Sequence, residues 1–187
     1  MYQLLISLDH RIFFYIHQLP HTPVADAIAL MASGALGSMV VVWILLSIWL
    51  FVREEKKDTW FFLPVFLAAS LSVCISEFVL KNIFARSRPP GALLLDYSFP
   101  SSHATVAWAL AVVLASKEPR AKYFFYFLAF LISFSRIYLG VHYPSDVIAG
   151  GLVGAGIGYF SLWAERNMIK CKHVKTQRKR ITNDASR

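Results

Sequence analysis

The stretch Ala27–Val52, AIALMASGALGSMVVVWILLSIWLFV, runs for 26 residues without a formal charge. A helix rising about 1.5 Å per residue crosses the roughly 30 Å hydrocarbon core of a bilayer in around 20 residues, so this segment is long enough to span it. Composition points the same way: 57% of the 187 residues are hydrophobic and 16% are charged. An average soluble domain has roughly 45–50% apolar and about 25% charged residues. One small soluble core cannot hide that much apolar surface. The chain is therefore expected to be all-α and embedded in a membrane.

Working outward, four more apolar runs follow. Thr59–Leu80 carries one acid, Glu77, and has Pro64 near its start, where a helix tolerates proline. Ser101–Ser116 is free of charge after His103, and Tyr123–Leu139 is rich in Phe and Tyr with Arg136 near its far end. Val147–Ala164 has no charge, and its Gly150, Gly154 and Gly158 recur on one helical face, where a second helix can approach closely. Tyr2–Leu19 is long enough to cross, but it would then hold Asp9, His10 and Arg11 near mid-membrane, at about 2.5–3.5 kcal/mol for each Asp or Arg. An amphipathic helix at the interface, with Leu4, Leu5, Leu8, Ile12, Tyr15 and Ile16 on one side, costs less. The expected fold is a helical bundle of five to six transmembrane helices with an N-terminal amphipathic or spanning helix. Residues 1–166 form one membrane-embedded domain and 167–187 a basic cytoplasmic tail. The N-terminus lacks the features of a cleaved secretory signal and is expected to be retained.

The net charge of +8 is placed unevenly. Arg53, Lys56 and Lys57, then Lys117, Arg120 and Lys122, then the basic residues from Arg166 to Arg187 all fall on one side if the runs alternate. Arg11, Lys81, Arg86, Arg88 and Arg136 fall on the other. Basic loops stay in the cytoplasm, so the second group is expected to face outward. The basic run Lys170–Arg180 has no interleaved aromatic residues for stacking on bases, so no nucleic acid is expected; contact with anionic lipid heads is. Cys74 and Cys171, far apart and in unlike surroundings, read as free thiols.

The outward segments hold Lys81, Arg88, His103, Arg136, His142 and Asp146. Ionisable groups at membrane depth are expensive, and a set of them converging on one side marks a functional site. Taken singly, each has a harmless alternative, such as a cation snorkelling to head groups or a histidine satisfied within the core. Their spacing argues otherwise. Lys81 is followed, after six intervening residues, by Arg88-Pro89, then come Pro100-Ser101-Ser102-His103 and Ser135-Arg136, and after five residues His142, then three more and Asp146. A phosphoryl group in transfer spreads negative charge over its oxygens. Lys81, Arg88 and Arg136 supply positive charge, and the two arginines present planar donor forks suited to phosphate. Ser101 and the amides of Ser102 and His103 add donors at a helix start. No carboxylate cluster for magnesium is seen beside them, so no metal and no cofactor is expected.

This three-part pattern resembles the type 2 phosphatidic acid phosphatase superfamily, with Ser102 standing where the second motif usually has glycine. The resemblance implies that His142 attacks phosphorus, that His103 protonates the leaving oxygen and later activates water, and that Asp146 orients His142. It also implies a lipid substrate whose phosphate lies at the outer face of a bacterial cytoplasmic membrane. Small bacterial members of this layout look like undecaprenyl-diphosphate phosphatases; phosphatidylglycerophosphate, phosphatidic acid and lipid A are the alternative substrates. A soluble haloperoxidase is excluded by composition, and a transporter fits poorly because the ionisable residues crowd one side.

Overall fold

The computed structural model describes residues 2–33, 36–53, 60–92 and 94–185, without the side chains of Tyr2, Leu5 and Ser33 or those of residues 36–40 and 173–185. Every regular element in it is helical. In chain order these are α1 (Tyr2–His17), α2 (Pro23–Ser33), α3 (Leu36–Arg53), α4 (Phe62–Val73), a π-helical stretch (Cys74–Leu80), α5 (Lys81–Phe84), α6 (Ser102–Lys117), a 3-10 turn (Pro119–Ala121), α7 (Lys122–Tyr138) and α8 (Pro144–Ala185).

Helix α6 is the axis around which the others pack. From Ser102 to Ala115 every residue except Trp108 is buried. Alanines fill much of it, which favours helix and leaves a slim rod that α4, α7 and α8 can all approach. The glycine row of α8 forms the closest seam. A β-carbon at Gly154 would sit 2.1 Å from the Thr105 carbonyl oxygen, at Gly150 2.6 Å from that of Ser101, and at Gly158 2.7 Å from that of Ala109. The close approach expected from the spacing is therefore made against α6.

The outer helices bury one face and leave the other apolar. On α7, Phe125, Ala129 and Ile132 point inward while Tyr123, Phe124, Phe127 and Phe130 are exposed. On α3, Trp43, Ser47 and Leu50 are buried while Ile44, Leu45, Ile48 and Trp49 are exposed. Soluble monomers rarely carry continuous apolar surface of this extent; lipid is the solvent it fits. Phe62–Phe84, with 23 residues, and Pro144–Lys172, with 29, are each long and apolar enough to cross a bilayer. The expected first span falls on α2 and α3, with residues 34 and 35 between them outside the described set, as are Lys56, Lys57 and Thr59. Helix α8 continues past residue 166 to Ala185, so no break in the backbone separates domain from tail. Cys74 and Cys171 are free and exposed.

Helix α1 runs across one end of the bundle. Asp9 meets Ser145 at the start of α8, and His17 meets Tyr138 at the end of α7. Asp9 and Phe13 face the bundle, whereas Leu4, Leu8, Ile12 and Tyr15 are exposed. This inner face, Asp9 beside Phe13, is the part that the amphipathic reading left open. At the corner after α1, His21 has Nδ1 2.9 Å from the Asp26 carboxylate and Nε2 3.0 Å from the His17 carbonyl. Both neighbours are acceptors, so both contacts are satisfied only by the doubly protonated ring. The His17 carbonyl first, and Asp26 second, hold the His21 pKa above its ordinary value. Tyr138 stacks on this ring at 4.5 Å and donates its hydroxyl to Asp26 at 2.8 Å.

Candidate active site

Three turns of backbone gather the site at the end of the bundle crossed by α1. The π-helical stretch delivers Lys81 to the start of α5, and wide turns of this kind recur at functional positions. Ala85 then ends the helix in the left-handed region (φ 44°) and releases the chain into a loop. That loop is closed by Ser98, whose amide donates to the Arg86 carbonyl at 2.8 Å. After a cis Phe99–Pro100 bond, the Ser101 amide donates to the Asp146 carbonyl at 3.0 Å, tying the start of α6 to the start of α8. The third turn follows α7. Gly140 takes φ 72°, and the amides of Val141 and His142 fold back onto the Arg136 carbonyl at 3.1 and 3.3 Å.

His142 is buried between charges of both signs. Arg88 Nη1 lies 3.1 Å from His142 Nε2 and donates to the Val141 carbonyl at 2.7 Å. Because a guanidinium only donates, His142 Nε2 is the acceptor and the ring proton sits on Nδ1. Nδ1 faces Asp146 Oδ2 at 3.6 Å, too long for a hydrogen bond but close enough for the carboxylate to orient the ring and stabilise positive charge on it. Burial above all, with the nearby Arg88 and Arg136 charges, pushes the His142 pKa down to about 4 against the pull of Asp146. The imidazole is thus neutral at ordinary pH, with a nucleophilic lone pair on Nε2 aimed at the cationic side of the site.

Asp146 has no exposed surface and is held at both oxygens. Oδ2 accepts from the Tyr143 amide at 2.8 Å and from the Ser98 hydroxyl, and Oδ1 accepts from Arg86 at 2.6 Å. Lys81, 5% exposed, donates to both oxygens of Glu77 at 2.9 Å and to Asp96 at 2.6 Å. Asp96 also takes a two-pronged contact from Arg88, at 2.8 and 2.9 Å from Nη2. Burial would raise the Asp96 pKa, but Lys81 and Arg88 outweigh it and hold this carboxyl below its ordinary value. An incoming phosphate therefore meets donors that already serve a carboxylate.

The remaining predicted residues lie at the same end. Arg136 is buried at the last turn of α7, within electrostatic reach of Arg88 and His142. Ser101, Ser102 and His103 are buried at the first turn of α6, and the Ser101 and Ser102 hydroxyls have no hydrogen-bond partner among the described residues. Two buried hydroxyls without a partner among the described residues, at the end of the bundle that also holds Lys81, Arg88 and Arg136, fit an anion-binding role. Ser102 does not require glycine's freedom, since Ala85 is the one non-glycine residue with positive φ among those described. Sequence reasoning did not assign Asp96, Ser98, Arg86 or Asp9. A charged residue at 96, inside an otherwise apolar and aromatic linker between two motifs, was the available signal.

A lipid-facing helical bundle with a cationic pocket around a neutral histidine defines a class, the membrane proteins that handle phosphate esters. Comparison with known proteins makes it specific: residues 61–170 match the model of the PAP2 superfamily, and the chain belongs to that superfamily. It is 34% identical over 134 residues to the undecaprenyl-diphosphatase of Sulfolobus acidocaldarius, an alignment covering 66% of this chain and 64% of that protein's length. It is 28% identical over 174 residues to the lipid A 4'-phosphatase of Porphyromonas gingivalis, covering 83% of this chain and 72% of that one. Among solved structures, the crystal structure of Aquifex aeolicus LpxE superposes with a TM-score of 0.63 at 34% identity, covering 83% of this chain and 94% of that chain.

Proposed function

We propose that this protein is a metal-independent lipid phosphatase that removes a terminal phosphate at the outer face of a bacterial cytoplasmic membrane, with undecaprenyl diphosphate as substrate. The observation that carries this reading is the orientation of His142, with its Nε2 lone pair toward Arg88 and its Nδ1 proton toward Asp146. Lys81, Arg88 and Arg136, with the Ser101 and Ser102 hydroxyls and the α6 N-terminus, stabilise the charge that spreads over the equatorial phosphoryl oxygens. Nε2 attacks phosphorus and forms a P–N bond as the P–O bond to the lipid breaks. His103 gives its proton to the departing oxygen. His103 then takes a proton from water, whose oxygen attacks phosphorus; the P–N bond breaks and inorganic phosphate leaves with both histidines restored.

The site end carries Arg11, Lys81, Arg86, Arg88 and Arg136, while Lys117 and Arg166 lie toward the other end of the same helices, which supports an outward-facing site. In this arrangement five spans cross with α1 at the outer interface, and the basic end of α8 meets anionic lipid on the cytoplasmic side. His142→Ala is expected to abolish phosphate release from undecaprenyl diphosphate in detergent, and wild-type turnover in that variant would overturn the mechanism. Turnover that survives EDTA is expected, and loss restored by magnesium would refute metal independence. A second reading, a lipid A phosphatase, is favoured by the longer alignment to the Porphyromonas protein. A panel comparing undecaprenyl diphosphate, lipid A, phosphatidylglycerophosphate and phosphatidic acid decides between them.

A further inference from the structure

Arg86 lies between two carboxylates from opposite ends of the sequence. Its Nη1 donates to Asp146 Oδ1 and to the Ser145 hydroxyl, both at 2.6 Å, and its Nη2 donates to Asp9 Oδ2 at 2.7 Å. Asp9 in turn accepts from the Ser145 amide at 2.9 Å and from the Ser145 hydroxyl at 2.6 Å, so a side chain of α1 caps the first turn of α8. The guanidinium also rests on the Tyr143 ring at 4.2 Å, beside His142. Among the described residues, Arg86 is the one permanently charged cation hydrogen-bonded to the buried Asp146.

We propose that Arg86, fixed by Asp9, is a positioning residue for the nucleophile. This rests on the reading of His142 given above. With Oδ1 pinned by Arg86, and Oδ2 by the Tyr143 amide and Ser98, the Asp146 carboxylate cannot rotate, and Oδ2 stays opposite His142 Nδ1. Arg86 also offsets part of the Asp146 charge. The groups that act on His142 are then Arg88 from the site loop, Arg136 from α7 and the Asp146–Arg86 pair at α8. Removing the Arg86 charge leaves Asp146 free to favour the imidazolium, so more acid-sensitive turnover follows. Helix α1 thereby becomes part of the catalytic apparatus through one carboxylate, although it carries none of the three motifs.

The test is steady-state kinetics of purified Arg86→Gln, Arg86→Lys and Asp9→Asn proteins on undecaprenyl diphosphate micelles across pH, with thermal unfolding as the control for folding. Arg86→Gln is expected to lower kcat by about 100-fold, as misplacement of a reacting group by about an ångström does, with KM within about threefold. Its acid limb should move to higher pH, and Arg86→Lys should recover part of kcat and return the limb. Asp9→Asn is expected to lower kcat by about 10-fold, and by nothing further in the Arg86→Gln background, since it acts through the same side chain. A folded Arg86→Gln protein with wild-type kcat, or with an unmoved acid limb, overturns the proposal. If that variant does not fold, wild-type kcat in both Arg86→Lys and Asp9→Asn overturns it instead. His142→Ala run alongside separates the two readings: an inactive His142→Ala protein with an unaffected Arg86→Gln protein sinks this inference alone, whereas an active His142→Ala protein sinks the mechanism it rests on.

Discussion

The two ends of the bundle are built from the same kinds of side chain and use them differently. At the end away from the site, Lys117 meets Glu165 at 2.5 Å, joining α6 to α8, and the Lys117 ammonium lies 5.5 Å from the centre of the Phe61 ring. At the site end Lys81, Arg88 and Arg86 are each shared. Lys81 serves Glu77 and Asp96; Arg88 serves Asp96, Val141 and His142; Arg86 serves Asp9, Ser145 and Asp146. A pair that is satisfied locally clamps two helices. Cations whose partners come from several segments instead fix the relative positions of those segments.

The sharpest way to break that contrast is Arg88→Ala. It should lower kcat/KM by about 1000-fold, in the range found for losing one preorganised donor at a developing charge, while the protein still unfolds as a single species. Glu165→Gln at the other end should do the reverse. It removes the carboxylate from the Lys117–Glu165 pair that joins α6 to α8 and should cost about 1–2 kcal/mol of stability, less than for a fully buried pair because the Lys117 side chain is 15% exposed, with kcat/KM within about twofold. If Glu165→Gln instead reduces turnover as strongly as Arg88→Ala, the two ends are not distinct. The smallest effect concerns Asp96. Asparagine competes less well than a carboxylate for Lys81 and Arg88, so Asp96→Asn should lower KM about 3- to 10-fold, matching the roughly 1 kcal/mol separating charged from neutral hydrogen bonds. A raised KM would show that Asp96 holds those donors in place for substrate.

Local properties of the sequence gave the helices well. Ser101–Ser116 against the observed Ser102–Lys117, and Tyr123–Leu139 against Lys122–Tyr138, differ by one residue at each end. Continuous apolar runs between charged or proline-containing loops set both boundaries, and both signals are local. The residues of the three motifs were legible for another reason, because their spacing repeats a known pattern. Arg86, Asp96, Ser98 and Asp9 were not, because their roles depend on which segments meet. Asp9 lies 77 positions from Arg86, and Ser98 lies 48 from Asp146. No periodicity links such residues. Helix α1 was half read for the same reason: its apolar residues marked an amphipathic helix, but only the packing of Asp9 against α8 shows that this carboxylate faces the protein.

The corner at His21 bears on how the site end of the bundle withstands acid. His142, with a folded pKa near 4, stays neutral where an unfolded chain would protonate it, so between roughly pH 6.5 and 4 its burial withdraws stability as pH falls. His21 has the opposite sign: its folded pKa is raised, so its contribution is complete below the unfolded value and fades as pH rises through the folded one. His21 is exposed to solvent and its share is the smaller. Acidification therefore loads His142 while tightening the corner that seats α1 against Tyr138 and the turn before His142. The fold thus has a built-in counterweight to acid: the same protons that burden His142 fasten the strap behind it.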